Sequence, residues 1–269
     1  MLIWVAALHC EAKPVIDYFQ LKKSHAQHAF DLYQQGDMCC IVSGIGKIAA
    51  AAASAWVAAL NQQSRSIAWI NLGSAGSASH PLGSVWWINK ITDVELNRRY
   101  YPVPVISSGI TAEHCLTYNQ PHTDYHPRYL CDMEASAFFH TATRFSSAEL
   151  VHCLKIVSDN ADNPFDKDKN RLSRLIQQNI AAIARFAQSL TRLNQLAAQL
   201  EIAEADWRGF LSQAHFSQTQ ASQLKNCLRF LLSQGHSIES LIEKTSAFDN
   251  SRLILAQLER LCRHSSRNL

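Results

Sequence analysis

Three carboxylates in this chain stand where acid–base chemistry is commonly done. Glu11 follows the apolar run of residues 2–8 and opens a segment with helical spacing. Glu134 lies in Asp132-Met133-Glu134-Ala135-Ser136, at the start of another helical segment, and Asp159 closes the apolar run of residues 152–157. A carboxyl group can give a proton to a leaving group, take one from water, or hold hydroxyls by accepting their hydrogen bonds. The helix macrodipole alone favours an acid in a first turn by a few tenths to ~1 kcal/mol, which accounts for any single one of them. It does not account for the two glycine-bearing turns that accompany them in order, Ser43-Gly44-Ile45-Gly46-Lys47 and Leu72-Gly73-Ser74-Ala75-Gly76.

Other chemistries fit less well. Residues 44–49 (GIGKIA) match the dinucleotide fingerprint G-x-G-x-x-G/A, but that fingerprint wants an acid about 20 positions on to hold a ribose. Residues 64–72 contain none, and the turn follows a later strand instead of the first. No Gly-Lys-Ser/Thr occurs, so a Walker loop is absent. The formal charge of +3, from 25 basic against 22 acidic residues, is not concentrated in either part of the chain, which argues against nucleic acid as partner. No apolar run approaches the ~20 residues that span a bilayer. His122 and His126 have i, i+4 spacing, but Pro121 and Pro127 oppose a helix there and no third ligand is evident, so neither a metal nor a cofactor is expected. None of the eight cysteines forms a CxxC pair. Most sit in apolar surroundings such as MCCIV and VHCLKIV, the pattern of reduced thiols in a cytoplasmic protein.

The elements that must position the acids follow from the hydrophobic pattern. With 47% hydrophobic residues, a chain of 269 can bury a sizeable core. Residues 2–8 (LIWVAAL), 39–43 (CCIVS), 67–71 (IAWIN) and 152–157 (HCLKIV) read as strands buried on both faces. Residues 85–88 and 103–106 read as further short strands. The alanine-rich residues 47–60, together with 11–19 and 132–144, read as helices. Strands alternating with helices imply an α/β fold around a mainly parallel sheet, with ligands beyond the strand carboxyl ends. All seven prolines lie at or before Pro164, and beyond it the only glycines are Gly209 and Gly235. Residues 191–269 therefore read as an all-helical C-terminal extension of a body spanning residues 1–190, with helices at 205–212, 218–232, 238–244 and 251–263. The residues between 91 and 131 read largely as loop.

Taken in order, Ser43-Gly44-Ile45-Gly46-Lys47, Asn71-Leu72-Gly73-Ser74-Ala75-Gly76, Asp132-Met133-Glu134-Ala135 and Val157-Ser158-Asp159 resemble the nucleoside phosphorylase superfamily. The likeness is to methylthioadenosine/S-adenosylhomocysteine nucleosidases and futalosine hydrolase-like members, and it extends to Ala7-Leu8-His9-Cys10-Glu11. It implies a three-layer α/β/α fold with a mixed, mainly parallel and partly barrel-like sheet. It also implies roles. Asp159 would protonate a purine leaving group, Glu134 would hold the ribose hydroxyls with Met133 under the sugar, Glu11 would activate water, and Ser74 would help hold it. Asn71, Gly73 and Ser158 join the substrate-binding set through the matching motifs. Cleavage of an N-glycosidic bond builds positive charge on the ribose, so the two-carboxylate logic of glycoside hydrolysis suits the set.

Phosphorylases of the superfamily carry an arginine two residues before the first glycine of the GS-x-G loop. Asn71 stands there, which favours water over phosphate unless Arg98, Arg99 or Arg128 enters from a loop. Family members have a longer segment where residues 91–131 stand here. The base-contacting residues therefore do not carry over, and Thr111, His114, Tyr118 and Asn119 are candidates by position alone. The resemblance implies a homodimer, because relatives complete the 5′ pocket with a neighbouring subunit. It assigns no role to the helical extension, which could serve as a surface for a protein partner. The alternatives are a phosphorolytic enzyme and a non-catalytic nucleoside-binding or assembly protein on the same fold.

Overall fold

All five residues of β1 (Leu2–Ala6, LIWVA) are buried, so this strand is covered on both faces. The computed structural model describes residues 1–26, 29–61, 66–107, 109–122, 124–164 and 168–266. It divides into two compact units, Met1–Gln195 and Leu196–Leu269. After β1, the first unit contains α1 (His9–Tyr18), β2 (Lys22–Lys23), β3 (Asp31–Gln35), β4 (Met38–Val42), α2 (Lys47–Leu60), β5 (Ala68–Gly76), β6 (Val85–Asp93), β7 (Arg98–Tyr100) and β8 (Ala112–Thr117). It continues with β9 (Leu130–Asp132), α3 (Ala135–Ala142), β10 (Val151–Asp159), α4 (Lys169–Gln178) and most of α5 (Ile180–Gln199).

The strands form one mixed sheet with parallel pairing through its centre, β4-β1-β5-β10. Five strands close on themselves. β5 pairs with β10, β10 with β6, β6 with β8 and β8 with β9, and β9 returns to β5 at Gly76 and Cys131. From this barrel-like ring the path β5-β1-β4-β3-β2 runs outward.

Alternation along β1 shows how both faces are covered. Ile3 and Val5 share a core with Ala50, Ala53 and Val57 of α2 and Phe138 of α3. Trp4, pointing the other way, meets Phe19 just beyond α1 at a ring distance of 5.9 Å. α1 packs against α4, and α2 against α3. Helices therefore lie on both faces of the sheet, in the three-layer order α/β/α. Alanine lets α2 form readily, and its entry depends on Gly46, at φ +97°, where a side chain would be strained.

One expectation needs correction and a second needs refinement. Residues 103–106 form no strand. The segment between 91 and 131 is largely loop, as expected, but it also supplies β7, β8 and most of β9, with β8 held between β6 and β9. β8 (AEHCLT) has weak local strand character, and pairing on both edges is what secures it.

The second unit contains α6 (Glu204–Gln213), α7 (Gln218–Ser233), α8 (Ile238–Thr245) and α9 (Ser251–Ser266). Its own core joins Phe210, Leu224, Leu228, Leu231, Leu241 and Leu258. α7 ends in a Schellman arrangement: Gly235, at φ +84°, donates to Leu232 O and His236 donates to Leu231 O. Among the described residues, no helix is long and apolar enough to cross a membrane.

Phe138 is fully buried and meets Trp69 edge-on at 6.4 Å. Phe138→Ala should therefore cost about 3–5 kcal/mol of stability, read as a lower urea midpoint by tryptophan fluorescence.

Candidate active site

The carboxyl ends of β5 and β10 lie side by side, with Lys155 opposite Gly73, Ile156 opposite Ser74, Val157 opposite Ala75 and Asp159 opposite Gly76. The register shifts between Val157 and Asp159, leaving Ser158 as the extra residue. Regular alternation would send Ser158 and Asp159 to opposite faces; the irregularity lets both line the same cavity. That cavity, of about 200 Å³, is also lined by Glu11, Ser74, Met133 and Glu134. Six of the eight residues singled out in the sequence thus meet at one place.

Glu11 is the third residue of α1 and only 2% exposed. One carboxylate oxygen accepts from the backbone N–H and the hydroxyl of Ser74, both at 2.8 Å. The other accepts from Leu8 N–H at 3.0 Å. Three donors from two elements fix its orientation.

Glu134 caps α3, and its Oε1 accepts from Gly46 N–H at 2.7 Å. This contact explains why the Ser43–Gly46 turn accompanies the acid in the sequence: Gly46, free to adopt positive φ, brings a backbone donor to it. Burial pushes the Glu134 carboxyl up to about 7, with Asp132 and Glu11 adding to the rise and Lys155 opposing it. Two residues earlier, Asp132 goes the other way. Burial would raise it too, but the Lys155 ammonium and hydrogen bonds from Thr117 and Ala135 hold it below the ordinary carboxylate range. Lys155 Nζ lies 2.8 Å from Asp132 Oδ2, and both side chains are fully buried. The angle between them is not that of a hydrogen bond. Burial opposes the charge on Lys155, yet Asp132 and Glu134 outweigh it and raise its pKa.

Asp159 is 7% exposed. Its Oδ1 accepts from the neighbouring Ser158 hydroxyl, and its Oδ2 accepts from Tyr125 Oη at 2.6 Å.

Asn71 and Gly73 are not among the lining residues. Asn71 is buried inside the sheet and donates to Val5 O at 3.0 Å, tying β5 to β1. Gly73 lies beneath the acids, where a Cβ would come 3.3 Å from Lys155 Nζ and 3.4 Å from Glu11 Oε1. The positional candidates Thr111, His114, Tyr118 and Asn119 do not line the cavity; Pro121 and His122 from the same stretch do. No arginine or lysine is among the described lining residues. The sequence reading missed Lys155 and Tyr125. Lys155 had a signal, a lone cation inside the apolar run HCLKIV, whereas nothing local distinguishes Tyr125 from the other tyrosines around it.

The Glu134 shift has a consequence for stability. Between its ordinary value near 4.3 and about 7, the folded chain keeps a proton that the unfolded chain releases, so stability falls as pH rises through that window. Acting alone, the shift amounts to about 3–4 kcal/mol. His114 and His152, each pushed down to about 4 by burial, act in the opposite sense, so the informative quantity is a difference. Urea titrations at pH 5 and pH 7.5 should show Glu134→Gln gaining stability relative to the parent chain as pH rises.

No protein-family model and no curated protein matches this sequence. Solved structures do match. A 5′-methylthioadenosine/S-adenosylhomocysteine nucleosidase from Neisseria meningitidis, in complex with methylthio-immucillin-A, is similar at 19% identity and TM-score 0.53, over 71% of this chain and 97% of that one. The apo 5′-methylthioadenosine nucleosidase of Arabidopsis thaliana is similar at 17% identity and TM-score 0.51, over 71% and 94%. Uridine phosphorylase from Schistosoma mansoni is similar at 12% identity and TM-score 0.54, over 68% and 85%. What these proteins share with the chain is the arrangement of its sheet and helices: the chain has the nucleoside phosphorylase-like fold.

Proposed function

We propose that the chain hydrolyses the N-glycosidic bond of a purine nucleoside or thioether nucleoside. The observation that carries this reading is a single cavity lined by four nearly buried acids, of which Asp132 is tied to Lys155 while Glu11, Glu134 and Asp159 are each fixed by different donors. In the proposed reaction, Asp159 supplies the proton that lets the base leave as a neutral molecule. Glu134 accepts hydrogen bonds from the ribose hydroxyls, and Met133 packs against the sugar. Glu11, held by Ser74, takes a proton from the attacking water. The ribose becomes cationic as the bond breaks, and carboxylates already fixed in place stabilise that charge without having to reorganise.

Water is favoured over phosphate because no guanidinium or ammonium is among the described lining residues, and an unpaired phosphate dianion would be poorly bound there. The similar nucleosidases act on adenine-bearing thioether nucleosides by their names. That supports the substrate class proposed for this chain. The homodimer, the cytoplasmic setting and a protein partner for residues 191–269 remain part of the same proposal.

Release of free base from a panel of purine and thioether nucleosides, with and without phosphate, tests the reading. Base should appear without phosphate. Asp159→Asn and Glu11→Gln should each lower kcat by about 10²–10⁴-fold with an unchanged circular dichroism spectrum. Tight nucleoside binding with no turnover would overturn the enzyme reading, and an absolute phosphate requirement would overturn hydrolysis.

A further inference from the structure

Proton delivery from Asp159 meets a neighbour that the three-acid scheme leaves out. Both carboxylate oxygens of Asp159 are engaged, Oδ1 by Ser158 and Oδ2 by Tyr125 Oη at 2.6 Å. Tyr125 is half-buried, and its ring lies directly on the backbone of Gly76. A Cβ at position 76 would come 2.6 Å from Tyr125 Cε1, 2.9 Å from Cδ1 and 2.9 Å from Asp159 Oδ2. Any side chain there would push away ring and carboxylate together. Gly76 therefore provides a seat shared by the two groups, and the seat is locked into the sheet through the pairing of Gly76 with Asp159 on one side and Cys131 on the other. Tyr125 is not itself among the described lining residues, but it sits against two that are, Gly76 and Asp159, and Pro121 and His122 just before it in the chain also line the cavity.

A phenol hydroxyl donates one hydrogen bond while accepting others, which makes it able to pass a proton along. Acting alone it would be left as phenolate, an unfavourable species at neutral pH because a free phenol has pKa near 10. In the structure Tyr125 Oη donates to Asp159 Oδ2; when Asp159 carries a proton the same 2.6 Å contact runs from Oδ2 to Oη, and the acid can refill the phenol oxygen as the first proton departs.

We propose that Tyr125 is a catalytic residue at the leaving-base end of the site, giving its hydroxyl proton to the departing base and receiving the Asp159 proton in return. This rests on the nucleosidase reading above. As the C–N bond breaks, its electron pair goes to the base, and a ring nitrogen of the base takes the Tyr125 proton. The proton on Asp159 Oδ2 moves to Tyr125 Oη, leaving a neutral phenol and an aspartate carboxylate. Water bonds to the sugar carbon and loses its proton to Glu11. Solvent then carries a proton from Glu11 back to Asp159, restoring both groups. No oxidant, reductant or cofactor enters the balance.

The test uses the full-length chain and two substrates: the purine nucleoside that the parent chain cleaves best, and p-nitrophenyl riboside, whose nitrophenolate leaves without needing a proton. Tyr125→Phe deletes one oxygen and keeps the ring on Gly76. It should lower kcat for the purine nucleoside by about 100-fold or more, with KM and nitrophenyl riboside turnover each changing by no more than about threefold. Asp159→Asn should show the same split. Purine turnover that survives Tyr125→Phe overturns the proposal, and so does an equal loss on both substrates, which would mark a purely structural role. If the parent chain releases base from neither substrate, the nucleosidase reading fails, and this inference falls with it.

Discussion

One buried ion pair constrains the rest of the site. Lys155 and Asp132 are both fully out of solvent, 2.8 Å apart, on β10 and at the end of β9. Either charge alone would cost several kcal/mol to bury. Asp132 is further tied to Thr117 at the end of β8 and to the N–H groups of Glu134 and Ala135 at the start of α3. A single carboxylate thus fastens three strands of the closed ring to the helix that presents Glu134. Lys155 is also the only fully buried ammonium among the described residues, so the cluster of Glu11, Asp132 and Glu134 depends on it for its positive charge.

That arrangement divides labour among carboxyl groups by environment. Asp132 and Glu134 are two residues apart, yet one is held charged and the other is pushed toward protonation. Asp132 has the lysine and three further donors. Glu134 has one backbone donor and sits against other acids. Such splitting is how a site keeps some carboxyl groups structural and leaves others free to respond to a ligand. Gly73, beneath the group, leaves room for Lys155 and Glu11 to approach each other through the sheet.

What could be read from the sequence was what the backbone demands locally. Buried central strands leave continuous apolar runs, and β1, β4, β5 and β10 were legible as such. A turn that must put an N–H on a carboxylate leaves glycines, and Gly44 and Gly46 pointed to one before Glu134 Oε1 was seen to accept from Gly46. Three acids at strand ends and helix starts were legible for the same reason. β8 and β9 were not, because their stability comes from neighbours on both edges and little in AEHCLT or LCD signals it. Asn71 shows the limit of motif matching: its place in the loop pattern suggested substrate contact, while its amide is used to join two strands. Tyr125 reaches Asp159 from 34 residues away in the chain, by a route that no local pattern records.

The residue-by-residue pairing of β5 with β10 also bears on how such a chain can change over time. Inserting or deleting one residue in either strand would slide Asp159 past Ser74 and Gly76 by about 3.3 Å, further than any hydrogen bond in the cluster can stretch. Substitutions that preserve length impose no such displacement. The two strands are therefore strict about spacing and lenient about most identities, while the turns between β6 and β9 can absorb changes in length. A strand pair built this way keeps its two cavity-lining ends in step even in a chain only 12–19% identical to solved structures of similar fold.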